Sequence, residues 1–428
     1  MWLYHLFFPL VFLVLAPFFL RRMVRRGGVR RGLGERFSLH GPELARQLKG
    51  VERPVWIHAV SVGEMMMARV LVGELRRLRP TLDVVVTCTT STARGVAERE
   101  LADERTVVLY APVDWLPLVR RTFRRIRPTM LVLLEQELWP AQLEEARRRG
   151  VPVWILNARL SDRSWRRMRR LRHAVGRVLR GVAVVGLQRE SDRARFAQAG
   201  FPPHALVCTG SLKCDVAECG GERQGLDREV ASALGWAEAD PVVLAGSTHP
   251  GEEAMILEAF QDWRRRHPRV KLFLAPRHAE RAGEVVRLAR AAGWNVVRRS
   301  AAAPGADVAV LDTTGELRSL YPLATLVLGG KTLAAPEGRG GQNFLEAARA
   351  GRAIVLGPRV ENFRALATEY AQAGALILAP DAAAALRETG RLLDDAAARE
   401  ALGHRARELY RAELGVGARL AGMISSAL

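Results

Sequence analysis

Short runs of almost uninterrupted apolar residues alternate with amphipathic stretches along this chain, and that alternation leaves few folds open. In the first half the runs lie at 55–60, 83–87, 106–109, 130–134, 153–156, 182–186 and 205–209. Helical periodicity fills the spaces, most clearly over 65–78, 138–149 and 164–179. A strand that is apolar on both faces must be covered on both, which a parallel sheet with crossover helices achieves. The pattern weakens over 215–226, where Cys219-Gly220-Gly221-Glu222-Arg223-Gln224-Gly225 has loop composition. It resumes at 241–246, 270–275, 308–311, 325–328, 353–356 and 375–378, and 397–428 reads as helix. The expectation is an α/β chain of two Rossmann-like, doubly wound domains facing a cleft. They cover 49–215 and 241–428, with a polar linker at 216–240. At 428 residues, each half can bury a core of its own.

Residues 1–20 carry no formally charged side chain. As a helix, twenty residues just cross a hydrocarbon core of roughly 30 Å. Arg21, Arg22, Arg25, Arg26, Arg30 and Arg31 follow at once, with neither the leading basic stretch nor the cleavage pattern of a signal peptide. Basic residues stay on the cytoplasmic side of a membrane. The reading is an N-terminal membrane anchor helix at 1–20, tilted or shallow because of Pro9 and Pro17, and a basic juxtamembrane segment at 21–48. The body then lies on the cytoplasmic face of the inner membrane, with arginines against anionic lipids.

A formal charge of +20 admits three partner classes: nucleic acid, an anionic membrane surface or an acidic substrate. Nucleic acid is disfavoured, since the basic residues are not interleaved with aromatics and no groove-reading motif is present. Cys88, Cys208, Cys214 and Cys219 form no C-x-x-C pair, so reduced thiols are expected and no metal cluster is evident. No G-x-G-x-x-G follows the first strand of either half, and a P-loop lysine motif is missing, so no nicotinamide cofactor is expected.

Polar groups collect where predicted strands end and helices begin, the place where α/β proteins keep their chemistry. His58-Ala59-Val60-Ser61-Val62-Gly63-Glu64 closes the first strand. Glu64 either favours the positive end of its helix or acts as a general base at the mouth of a cleft. Glu135-Gln136-Glu137-Leu138-Trp139-Pro140 follows the fourth strand, and Gly210-Ser211-Leu212-Lys213-Cys214-Asp215 ends the half. In the second half, Gly246-Ser247-Thr248-His249 offers amides and hydroxyls to an anion, and Pro276-Arg277-His278 a guanidinium. Asp312-Thr313-Thr314-Gly315-Glu316 and Gly340-Gly341-Gln342-Asn343-Phe344-Leu345-Glu346 open further helices, with Glu346 able to accept from ribose hydroxyls. Several such turns in one domain point to a nucleotide.

In this order the motifs resemble the 3-deoxy-D-manno-octulosonic acid (Kdo) transferases of lipopolysaccharide assembly, membrane-anchored glycosyltransferases of the GT-B fold. Gly34-Glu35-Arg36, Asn157-Ala158-Arg159-Leu160-Ser161, Gly357-Pro358 and Asn362-Phe363 extend the resemblance over nearly the whole chain. It implies CMP-Kdo as donor and the glucosamine disaccharide of a lipid A precursor as acceptor, with no further cofactor. It also implies Glu64 as catalytic base and Glu135 and Lys213 as stabilisers of the transition state. CMP contacts fall on Pro276, Arg277, Thr314, Gly315, Glu316, Asn343, Phe344, Leu345 and Glu346. The family pattern has histidine where Gln342 stands, proline at Phe344, asparagine at Ala141 and serine at Lys331. The expected reaction is an inverting, metal-independent displacement in which positive groups hold the departing phosphate. Two other readings use the same features: a GT-B glycosyltransferase taking a uridine-linked sugar to a lipid, and a membrane-tethered nucleotide sensor in which Glu64 only caps its helix.

Overall fold

The computed structural model describes Tyr4 and residues 32–428, apart from 136–137, 220–222 and 335–339. The anchor expected at 1–20 and the arginines that follow it lie outside the described residues, save Tyr4. Among the described residues no helix is long and apolar enough to cross a membrane.

The alternation folds into two seven-stranded sheets. The first contains β1 (Val55–His58), β2 (Val84–Cys88), β3 (Thr106–Tyr110), β4 (Met130–Leu134), β5 (Val153–Ala158), β6 (Val182–Leu187) and β7 (Leu206–Cys208). Its order is β3-β2-β1-β4-β5-β6-β7, parallel throughout. The second contains β8 (Val242–Thr248), β9 (Lys271–Pro276), β10 (Val296–Arg298), β11 (Val308–Val310), β12 (Leu326–Gly329), β13 (Ala353–Leu356) and β14 (Ile377–Leu378). Its order is β10-β11-β9-β8-β12-β13-β14, also parallel. Every run expected to be a strand is one. The strand not foreseen is β10, a three-residue edge whose Arg298 is exposed and which pairs only with β11.

Burial follows the strand period of two. Val55, Ile57, Val84, Val86, Met130 and Val132 join one core cluster of the first sheet, while Trp56, Val85, Leu131 and Leu133 join another. Covered on both faces, the sheet keeps polar side chains off its middle and leaves them for the strand ends. Each sheet also reverses its winding once, beside β1 and β4 in the first and beside β8 and β12 in the second. Such switch points leave a crevice outside the carboxyl ends of the strands.

The chain divides into two compact units, Met1–Cys219 with Leu414–Leu428, and Gly220–Glu413. Two details differ from the sequence expectation. The stretch 216–240, read as a linker, contains the end of the helix Leu212–Cys219 and the whole helix Leu226–Leu234. The helix Val416–Ala427, placed by the alternation with the second half, packs in the first unit. Val416, Leu420, Ala421 and Ile424 share a core cluster with Met65, Ala68 and Leu71 of the helix Val62–Leu78. Its start is held by Asp215, whose carboxylate accepts from the amides of Gly415 (2.7 Å) and Gly417 (2.6 Å). Leu420→Ala should therefore lower the stability of the first unit by about 2–5 kcal/mol in chemical denaturation and leave the second unit's transition unchanged.

Candidate functional site

At the switch point of the first sheet, Glu64 lies in the opening turn of the helix Val62–Leu78 and is buried. Its carboxylate accepts from the Val60 amide (2.7 Å) and the Ser61 hydroxyl (2.8 Å). The Ser61 hydroxyl oxygen in turn accepts from the Glu64 amide (3.4 Å). This resembles a capping box between Ser61 and Glu64, with the carboxylate reaching back to the Val60 amide and the Ser61 hydroxyl. The cap and the base readings are thus compatible: the bonds that complete the cap also fix the orientation of the carboxylate.

Glu135 follows β4 with φ 57°, its amide bonded to the Leu156 carbonyl (2.9 Å). Lys213 begins the helix Leu212–Cys219 and is half-buried. Burial holds its pKa below the usual lysine range; Arg159 pushes the same way, while the Glu135 carboxylate opposes both. Glu135 and Lys213, far apart in sequence, are therefore electrostatic neighbours, with Arg159 and Arg189 in the same field.

Asn157 holds this corner together and was not singled out as a site residue from sequence. Fully buried with φ 57°, it accepts from the Leu212 amide (3.1 Å) and the Ser211 hydroxyl (3.4 Å), fixing the turn before Lys213. An asparagine at the end of a buried strand was its sequence signal, since asparagine tolerates the left-handed region. The Gly34-Glu35-Arg36 motif is structural here: Glu35 accepts from the Tyr110 amide (2.8 Å) and pairs with Arg94 (2.6 Å).

In the second unit the switch point is braced by Glu252, a fully buried carboxylate. It accepts from four amides, those of Lys331 (2.7 Å), His249 (2.9 Å), Leu333 (2.9 Å) and Ala334 (3.3 Å). Burial raises its pKa, and the four amides oppose that rise. Glu253 beside it accepts from Thr248 (2.8 Å) and pairs with Arg281 (2.8 Å). Gly330 passes so close to Ser247 that a Cβ there would lie 2.2 Å from its carbonyl oxygen.

The expected CMP contacts surround this brace unevenly. Pro276 is buried at the end of β9, while Arg277 is exposed, its amide bonded to the Thr248 carbonyl (2.9 Å). Thr314 and Gly315 are exposed, and Glu316 is engaged by Thr313 (2.5 Å) and Arg299 (3.4 Å). Asn343 is exposed and its side chain caps the Leu345 amide (3.1 Å). Phe344 and Leu345 are core residues, Phe344 packing edge-on to Tyr370 and Phe363, so only their backbone can meet a ligand. Burial raises the Glu346 pKa, with Arg318 and Arg349 opposing. Among the described residues no three His, Cys, Asp or Glu side chains gather as a metal-holding group.

His58, at the end of β1, is fully buried, its Nδ1 2.8 Å from the Thr87 hydroxyl and its ring edge-on to Trp139. Burial pushes its pKa down from 6.5 to about 4. The unfolded chain thus takes up this proton first on acidification, and the stability His58 contributes is complete above pH 6.5 and lost towards pH 4. Between those values His58→Gln should lose about 3 kcal/mol less stability than the unmodified chain, measured by denaturation at each pH.

The first half of the chain, residues 31–216, matches the family model described as "3-Deoxy-D-manno-octulosonic-acid transferase (kdotransferase)". A 3-deoxy-D-manno-octulosonic acid transferase of Bordetella pertussis is 36% identical over 414 residues, covering 94% of each chain. One from Haemophilus influenzae is 28% identical over 400 residues, covering 92% of this chain and 91% of its own. Among solved structures, a UDP-N-acetylglucosamine 2-epimerase aligns with 88% of this chain and 97% of its own at TM-score 0.60. At 13% identity that likeness speaks for the GT-B type of fold alone.

Proposed function

This chain belongs to the Kdo transferases, glycosyltransferases of lipopolysaccharide biosynthesis, and from that premise we propose a donor, an acceptor and a base. The donor is CMP-Kdo and the acceptor the glucosamine disaccharide of a lipid A precursor. Glu64 takes the proton from the acceptor's primary hydroxyl as that oxygen attacks the anomeric carbon. The bond from that carbon to the CMP phosphate breaks, CMP leaves, and the configuration inverts. Arg277 and the helix N-termini of the second unit hold the phosphate charge, Glu135 and Lys213 stabilise the transition state, and no metal is required.

The observation that carries the reading is that Asn157 fixes the turn before Lys213 and so keeps that lysine within the field of Glu135, which follows a strand of the switch point that also bears Glu64. A carboxylate oriented by its cap and a lysine close to Arg159 and Arg189 suit a reaction that moves one proton and releases one anion.

Glu64→Gln separates catalysis from architecture, because glutamine also completes a capping box. The variant should keep its melting temperature and CMP affinity while turnover falls by roughly 10²–10⁴-fold. The assay is transfer to a tetraacylated lipid A precursor, with CMP-Kdo generated in place, excess chelator present and products weighed by mass spectrometry. Full turnover by Glu64→Gln would remove the base role, and activity lost to chelator would remove the metal-independent mechanism.

For its cellular place we propose the inner membrane, with one anchor at residues 1–20 and both units on the cytoplasmic face. A second arginine-rich stretch, 163–180, supports this. It forms two helices, Asp162–Arg170 and Arg172–Val178, neither with a buried residue, and Leu171 between them is 57% exposed. Trp165, Met168 and Val175 of these helices pack on the same core face as Tyr4 of the apolar segment. Exposed arginines with Leu171 among them suit an anionic lipid surface. Cell fractionation should recover the protein with inner membranes; recovery in the soluble fraction would sink the assignment.

A further inference from the structure

We infer that Lys331 is an anion-binding residue of the second unit, directed at a charged group of the donor; the inference rests on the CMP-Kdo reading above. Lys331 follows β12 after Gly330, at the switch point opposite the turn that follows β8. Its backbone ties three of the turns that surround this point. The Lys331 amide donates to Glu252 (2.7 Å), which also holds the His249 amide, and the Lys331 carbonyl accepts from Gly341 (2.7 Å). Gly341 leads into Asn343 and Glu346, and the Thr248 carbonyl in turn receives the Arg277 amide.

The side chain occupies an unusual place for a structural lysine. Its residue has φ 57°, held there by the Glu252 brace and by the close passage of Gly330 beneath Ser247. Among the described residues its ammonium forms no ion pair, whereas Arg281, Arg299 and Arg359 of the same unit each pair with a carboxylate. Its charge instead falls on His249, whose ring faces that of His278 at 6.4 Å. With Arg277 at the end of β9, the geometry concentrates positive charge around one switch point. An oxyanion is the chemistry that such a group recognises. In the donor that anion is either the nucleotide phosphate or the carboxylate of the sugar acid.

The test uses the full chain, with Lys331→Gln to remove the charge and Lys331→Arg to keep it. Calorimetric titration with CMP and with cytidine comes first, cytidine serving as the probe that lacks the phosphate and as the control for folding. For a phosphate contact, Lys331→Gln should bind CMP about tenfold more weakly and cytidine unchanged, with Lys331→Arg restoring CMP affinity. For a carboxylate contact, CMP affinity stays unchanged while the KM for CMP-Kdo rises about tenfold in Lys331→Gln alone. Unchanged CMP affinity together with unchanged KM overturns the role of Lys331. An unmodified protein that binds neither CMP nor cytidine overturns the donor reading itself, and this inference with it.

Discussion

The second unit depends on one buried carboxylate. Glu252 has no exposure to solvent, and its four amide partners come from the turn after β8 and from the run after β12. An ionised carboxylate in such a place is tolerated only when its lone pairs are satisfied, and each amide left without it would lose a bond it cannot replace with water. The first unit uses the same device. Asp114 caps the helix Pro140–Arg148 from another loop, through the amides of Ala141 (3.0 Å) and Gln142 (3.1 Å), and Asp215 does so for the helix Val416–Ala427. In a chain with 65 Lys and Arg against 45 Asp and Glu, these buried acids bond to backbone amides, and the basic excess is left for surfaces and strand ends.

That division explains why the chemistry collects where it does. Strands covered on both faces exclude charge from the middle of each sheet, so charged side chains emerge in the turns at the ends. Where the winding reverses, the flanking turns diverge to cover opposite faces. Glu64 and Glu135 border that reversal in the first sheet, His249 and Lys331 in the second.

Much of this was legible from residue patterns because it is local. Apolar runs with short turns report strands, and β10 escaped because Val296 and Val297 are too short a run to stand out beside Arg298. The motif at 340–346 reads as a ligand turn in the sequence, yet a contiguous motif cannot say which of its members face inward. Phe344 and Leu345 belong to the core, and Asn343 faces solvent. Asn157 and Glu252 escaped for a different reason. Their partners lie 55 and 79 positions away, at Leu212 and Lys331, and no periodicity encodes a bond of that reach. The helix Val416–Ala427 has the amphipathic pattern of any helix, and nothing in that pattern names the core that it will join.

The return of that helix makes the first unit discontinuous: its core closes only when Leu414–Leu428 joins Met1–Cys219. On a ribosome, the helix Val62–Leu78 must wait with an uncovered apolar stripe while all of Gly220–Glu413 is made, and the second unit can complete its fold first. The half that bears Glu64 thus completes its core only after the chain of the other half has been made. A chain without the helix Val416–Ala427 leaves uncovered the hydrophobic seam of Met65, Ala68 and Leu71.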